Sequence, residues 1–330
     1  MKRNILLFWM LALPLYADSI YILHDNDLVF DSDDHYSAGL QIGWISNEYD
    51  NNTTEGFSQS YVKLLSDTVE LTGVTFKNRK LAGTISVQEM IITPSELKSS
   101  EPIYNDIPYM GLLSSSFSLL SWNEKKFDEY RFTIGIIGPD SGAEQLQKTV
   151  HTIVDTTDPK GWDNQLDTKI VAQIGYTHGI KQYIGSYSNS MRFEWFNSYY
   201  ADVGNFYCGA GVGSSIRYGQ NMPFNFESAS GLFNSSKGDM IELDKKSSSM
   251  GWDIHGGVYL NAIAYLYLYD ESKRLGYSYD RSYFLPIVNF GVSWYMENFN
   301  ISLDLFPSQS TVTNPDSASF ARINLSFQFK

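Results

Sequence analysis

Along most of the chain apolar and polar residues alternate with a period of two, the pattern of strands that have one apolar face. Near the C-terminus Ala321, Ile323, Leu325, Phe327 and Phe329 interleave with Arg322, Asn324, Ser326 and Gln328. Phe299, Ile301, Leu303 and Leu305 alternate with Asn298, Asn300, Ser302 and Asp304, and Tyr130, Phe132, Ile134 and Ile136 form a third set. Tyr36, Ala38, Leu40, Ile42 and Trp44 stand opposite Ser37, Gly39, Gln41 and Gly43. Ile254, Val258, Leu260, Ala262, Ala264, Leu266 and Leu268 mark a strand long enough to cross a membrane at a tilt. The pattern predicts twelve strands, near 19–30, 36–47, 70–92, 108–122, 128–138, 166–181, 187–199, 204–218, 250–268, 282–296, 298–306 and 318–329. An even number is what a bacterial barrel needs.

One apolar face per strand, with small and polar residues on the other, places lipid outside and a polar lumen inside. A β-sandwich would alternate too. Strand length, an export leader and an aromatic, Phe329, near the chain end favour the barrel. The expected fold is therefore all-β: a transmembrane antiparallel barrel of about 12 strands with a short helix in an extracellular loop. The leader is read from Lys2 and Arg3, the apolar run 5–15 and the small Ala17, which together have the layout of a secretory signal peptide over residues 1–17. That run is too short to span a bilayer comfortably, and a strand follows it. Residues 18–330 then form one barrel domain, with both termini in the periplasm. On this topology the Ser/Asn-rich segments 48–69 and 219–249 are long periplasmic connections, for which the pattern offers no physical reason.

Composition agrees with this picture. Aromatics reach 15%, including 23 Tyr and 20 Phe, which suits girdles at two membrane–water interfaces. The formal charge of −13, made more negative by loss of the leader, argues against nucleic acid as a partner. A lone Cys208 excludes an internal disulfide and a Cys-based metal site.

Two segments do not read as plain barrel. His24-Asp25-Asn26-Asp27 ends the first strand, and Asp31-Ser32-Asp33-Asp34-His35-Tyr36-Ser37 leads into the second. Hard oxygen donors at this density suit Ca²⁺, although an acidic solvated hairpin would look the same. Parity puts Ser37 on the lumen side. The second segment runs from Gly138-Pro139-Asp140-Ser141-Gly142 through Gln147 to His151. Ser141 and Glu144 have capping-box spacing and predict a helix start inside the third external loop. Gln147 and His151, four apart, then share one helical face. Asn26, Asp27, Ser37, Gln147 and His151 would all lie at the level of the outer leaflet, which in a Gram-negative outer membrane is lipopolysaccharide.

Asn26-Asp27, Tyr36-Ser37-Ala38-Gly39-Leu40 and the stretch from Gly138 to His151 together resemble the outer-membrane lipid A 3'-O-deacylase family, in the same order along the chain. The resemblance implies a twelve-stranded barrel with a site between its wall and an external-loop helix. It implies a hydrolase that removes the 3'-linked acyloxyacyl chain of lipid A, with calcium as cofactor. Carried over by residue, it makes His151, Asn26 and Gln147 catalytic, Lys98 substrate-binding, and Asp27 and Ser37 metal-binding. In one place the chain departs from the family: a carboxylate expected shortly after the His is Thr157 here, between Asp155 and Asp158. Two other readings stay open, an outer-membrane phospholipase-type esterase and a non-enzymatic porin-like barrel.

Overall fold

The computed structural model describes residues 19–26, 35–50, 56–186, 190–228, 233, 235–241, 250–307 and 319–329. The predicted leader, residues 1–17, and Asp27 lie outside them. Twelve antiparallel strands close into one barrel: β1 (Ser19–Asn26), β2 (His35–Ile45), β3 (Lys80–Thr93), β4 (Met110–Trp122), β5 (Lys126–Ile137), β6 (Lys169–Ser186), β7 (Met191–Gly204), β8 (Tyr207–Gln220), β9 (Gly251–Leu266), β10 (Phe284–Tyr295), β11 (Phe299–Phe306) and β12 (Phe320–Gln328). Each strand pairs with its sequence neighbours, and β1 pairs with β12 to close the ring from Ser19↔Gln328 to Asn26↔Ala321. Closure leaves no edge strand, so every ladder hydrogen bond is made within the wall.

The alternation read from the sequence sorts the two faces. Ile22, Ile42, Phe132, Ile134, Ile174, Val212, Val258 and Phe290 are exposed on the outside, where lipid would cover them. The inside is polar and charged, and several of its charges are paired. Arg131 donates to Asp202 at 2.8 Å, and Glu194 is approached by Lys181, Arg192 and Arg217 at 3.2, 2.8 and 2.5 Å. His255 lies between Asp253 and Asp304 at 2.8 and 2.9 Å, and Arg322 bonds Asp25 at 2.7 Å.

The two long periplasmic segments both have a structural role. The first holds helix α1 (Phe57–Glu70), which packs on the outside of the wall through Val62, against Leu81 and Leu119. The strand expected from residue 70 does not start there: Glu70 ends this helix, Leu71 caps it, and β3 begins at Lys80. Of the second, the described residues 225–228, 233 and 235–241 lie in the lumen. Phe226 packs on Phe127 and Phe196, Asn225 accepts from Arg217 at 2.7 Å, and the Lys237 backbone N–H donates to Glu129 at 3.2 Å. Arg322 bonds Ser235, Asn324 donates to Asp239 at 3.2 Å, and Phe233 reaches Phe206 beside the outer end of β8. Beside these residues lies a cavity of about 50 Å³ bounded by Arg217, Glu227, His255, Asp304 and Arg322, room for a few waters.

On the outer side, helix α2 (Ala143–Val154) stands in the third external loop, and α3 (Tyr267–Arg274) follows β9 directly. Leu268, expected to continue that strand, is fully buried in α3.

Candidate active site on the outer wall

The site is built by the third external loop lying down on the outside of the barrel. Gly111 of β4 permits the approach, because a Cβ there would come within 2.3 Å of both the Ala143 Cβ and the Ser141 Oγ. Ile91, Leu97, Tyr109, Ala143 and Trp162 form the apolar seam between loop and wall. The expected capping box is not what starts the helix. Gly142 takes the left-handed conformation at φ 91° and serves as N-cap, so Ser141 falls in the preceding 3-10 turn. Its hydroxyl accepts from the Ala143 N–H at 3.2 Å. Glu144 pairs instead with Lys148 at 2.8 Å, and that bond holds the lysine above its usual range.

The face of α2 turned inward carries Ala143, Gln147 and His151, all buried. The Gln147 Oε1 accepts from the Trp162 indole N–H at 2.8 Å, which fixes the orientation of the amide. Its Nε2 is then left buried without a partner among the described residues. An unsatisfied buried donor costs about 1–3 kcal/mol, so the position is suited to a water or a substrate oxygen. The Trp162 ring is held by Tyr109, 4.9 Å between centroids.

The His151 Nδ1 lies 2.5 Å from the Thr157 carbonyl oxygen. A carbonyl can only accept, so Nδ1 carries the proton, and a neutral ring keeps its lone pair on Nε2. The backbone of residue 157 thus does the orienting, whatever its side chain, while Asp155 and Asp158 on either side are exposed. At the position where the resemblance led one to expect a carboxylate, the ring thus meets a backbone carbonyl.

The strand ladder shows which face of the wall meets this helix. Asn26 pairs with Ala38, Ala38 with Ile91 and Ile91 with Gly111, one row across four strands on the lipid-facing side. At about 4.8 Å per strand the row spans about 14 Å. Asn26, the predicted catalytic amide, therefore ends β1 on the same face and level as the wall under α2. Ser37 does not follow simple parity. The register shifts between Tyr36↔Ile92 and Ala38↔Ile91, which leaves residue 37 as the extra residue of a β-bulge, outside the regular ladder. Lys98 is exposed in the second external loop, next to Leu97, whose carbonyl accepts the Lys160 N–H at 2.9 Å. It stands on the rim where the second and third loops meet.

Two residues of this region were missed in the sequence. Trp162 secures Gln147. Glu89 occupies a lipid-facing register position between Leu40 and Leu113, is hydrogen-bonded to Ser141, and so ties the start of the loop helix to the wall. A carboxylate at outward parity within the apolar run 87–92 was the available signal, since charge on a lipid-facing row is costly unless covered.

Among the described residues no three His, Cys, Asp or Glu side chains converge to hold a metal. The oxygen donors expected for calcium come from Asp27 and its loop, outside the described residues, and from Ser37. Their chemistry fits a hard divalent cation, and the bulge frees the backbone of residue 37 from the regular ladder.

The fold and this site define an outer-membrane β-barrel with a histidine-bearing loop helix laid against its lipid-facing wall. The family model of the outer membrane protein LpxR matches residues 5–329, and the chain belongs to that family. Membership places it in the outer membrane among lipid A deacylases, which are ester hydrolases. Its fold is similar to that of LpxR from Salmonella typhimurium, with a TM-score of 0.71 at 18% identity over 94% of this chain and 100% of that one. The β domain of the Bordetella autotransporter BrkA (TM-score 0.41, 7% identity, 95% and 99% covered) and the COG4313 channel of Pseudomonas putida F1 (0.40, 10%, 96% and 97%) share only the general barrel form. No curated protein matches the sequence by direct comparison.

Proposed function

We propose that this chain hydrolyses the 3'-linked acyloxyacyl ester of lipid A at the outer leaflet, with His151 as general base and calcium as cofactor. The observation that carries the reading is the contact of the His151 Nδ1 with the Thr157 carbonyl. It assigns the basic lone pair to Nε2, on the same buried helix face as the Gln147 Nε2, which has no partner among the described residues.

In this mechanism Nε2 takes a proton from water as the water oxygen attacks the ester carbonyl. The same nitrogen returns the proton to the departing sugar oxygen, leaving a free fatty acid and an alcohol. The Gln147 amide hydrogens position the water or the carbonyl oxygen, and Asn26, on the same exterior row, donates to the developing oxyanion. Calcium, when bound by Asp27 and Ser37, supplies Lewis acidity toward the ester carbonyl. Lys98, on the rim, meets an anionic group of the substrate. Because water is the nucleophile, no serine beside His151 is required.

The occupied lumen speaks against the porin-like alternative, since a pore needs an open path and residues 225–228, 233 and 235–241 lie in it. The test is mass spectrometry of lipid A from a Gram-negative host expressing the chain. Loss of the mass of one acyloxyacyl group from the 3' position is expected. Unchanged lipid A with new lysophospholipid would establish the phospholipase-type alternative instead.

A further inference from the structure

Helix α1 lies outside the barrel at its periplasmic end, and its residues sort into three faces when placed at 100° per residue. The wall face holds Val62, Leu65, Ser66 and Val69, with Val62 completely buried against Leu81 and Leu119. The second face is polar: Lys63 pairs with Asp67 at 2.7 Å, Gln59 accepts the Asp50 N–H at 3.0 Å, and Glu70 stands beside them. The third is a stripe of Phe57, Tyr61, Leu64, Thr68 and Leu71, all within about 40° of one line. On this stripe Leu64 is 64% exposed and Leu71 is 87% exposed, although the wall face beside it is fully packed.

We propose that this stripe is occupied by the acyl chains of phospholipids in the periplasmic leaflet, so that α1 is an interfacial helix fixing the depth of the barrel. The stripe is continuous with a surface that already meets lipid. Phe57 and Tyr61 stack on one another and close over Trp44, 5.8 and 5.9 Å away. Trp44 stands on the exterior parity of β2, and the open Ile42 follows it two residues farther up the same face. The level is fixed as well. The Tyr61 hydroxyl donates to the Thr84 carbonyl at 2.7 Å, so the helix crosses the first rows of β3 at the periplasmic side. There the lipid face points into the leaflet and the Lys63–Asp67 face into water, the arrangement of a helix seated at a headgroup boundary. A lone helix would need a strong moment to hold this position, but here the wall holds it through Val62.

The test is spin-label depth measurement on the full chain with Cys208→Ser as background. Nitroxides are placed by Leu64→Cys, Leu71→Cys and Lys63→Cys, one at a time, in vesicles of phosphatidylethanolamine and phosphatidylglycerol. Heat-modifiable gel mobility verifies each barrel. Labels at 64 and 71 are expected to favour oxygen over a water-soluble nickel chelate several-fold, and the label at 63 to show the reverse. Equal nickel access at 63, 64 and 71 would overturn the proposal by placing the stripe in water. Dipolar broadening between labels at 64 would also overturn it, by making a second copy of the chain the occupant.

Discussion

Two helices lie on the outside of the same barrel wall, one at each end of β3 and β4, and what they bury is different. At the periplasmic end α1 presents Val62, Leu65 and Val69 to Leu81 and Leu119, an apolar contact with no donor left over. At the outer end α2 turns Gln147 and His151 inward beside Ala143, and one amide of that face has no partner among the described residues. An apolar interface is complete when it is packed. A buried amide donor without a partner among the described residues is complete only when something else binds. The same architectural move, a helix laid on a wall, serves as support at one end and as half of the proposed reaction site at the other.

This contrast is most sharply tested by removing calcium. Chelation is expected to abolish lipid A deacylation and added Ca²⁺ to restore it, with Asp27→Ala raising the calcium needed or eliminating turnover. The melting of the barrel, which α1 supports, should not move. Full activity in chelator would remove the metal from the α2 site. Next in size is His151→Ala, expected to lower the rate by about 10²–10⁴-fold while the heat-modifiable band is retained. Normal deacylation by this variant would end the assignment of the base.

Gly111→Val tests the wall contact itself. Its side chain would push Ala143 and Ser141 away, and displacement of the helix by about an ångström is expected to reduce activity on the order of 10²-fold with the barrel still closed. Wild-type turnover would mean the loop does not need its seat. The smallest effect belongs to α1. Val62→Ala is expected to cost about 1–3 kcal/mol in denaturant unfolding and to leave turnover per folded molecule unchanged. A loss of turnover in proportion to His151→Ala would erase the distinction between the helices.

Strands with a two-residue period and one wet face were legible throughout, because alternation reports directly on lumen and lipid. Legibility failed where another principle governed. The strand expected from residue 70 begins only at Lys80, because Glu70 and Leu71 close helix α1. Leu268 prolongs the β9 alternation by chance, at the point where the chain turns into α3. The insertion of residues 225–228, 233 and 235–241 could not be seen because it is held by isolated partners that leave no periodic pattern, such as Asn225 with Arg217 and Lys237 with Glu129. Of the candidate site, the shared face of Gln147 and His151 followed from their spacing. The side of the wall did not. A single bulged residue, Ser37, interrupts the parity on which that inference rested, and bulges leave little trace in composition.

The row from Asn26 to Gly111 faces outward, and this sets how any molecule arrives there. A lipid reaching it slides sideways within its own leaflet and never crosses bulk water, so encounter is a two-dimensional collision. The quantity that governs saturation is then the mole fraction of substrate in the surface and not its concentration in the tube. Diluting that surface with inert lipid or detergent should slow such a protein even when the total amount of substrate is unchanged.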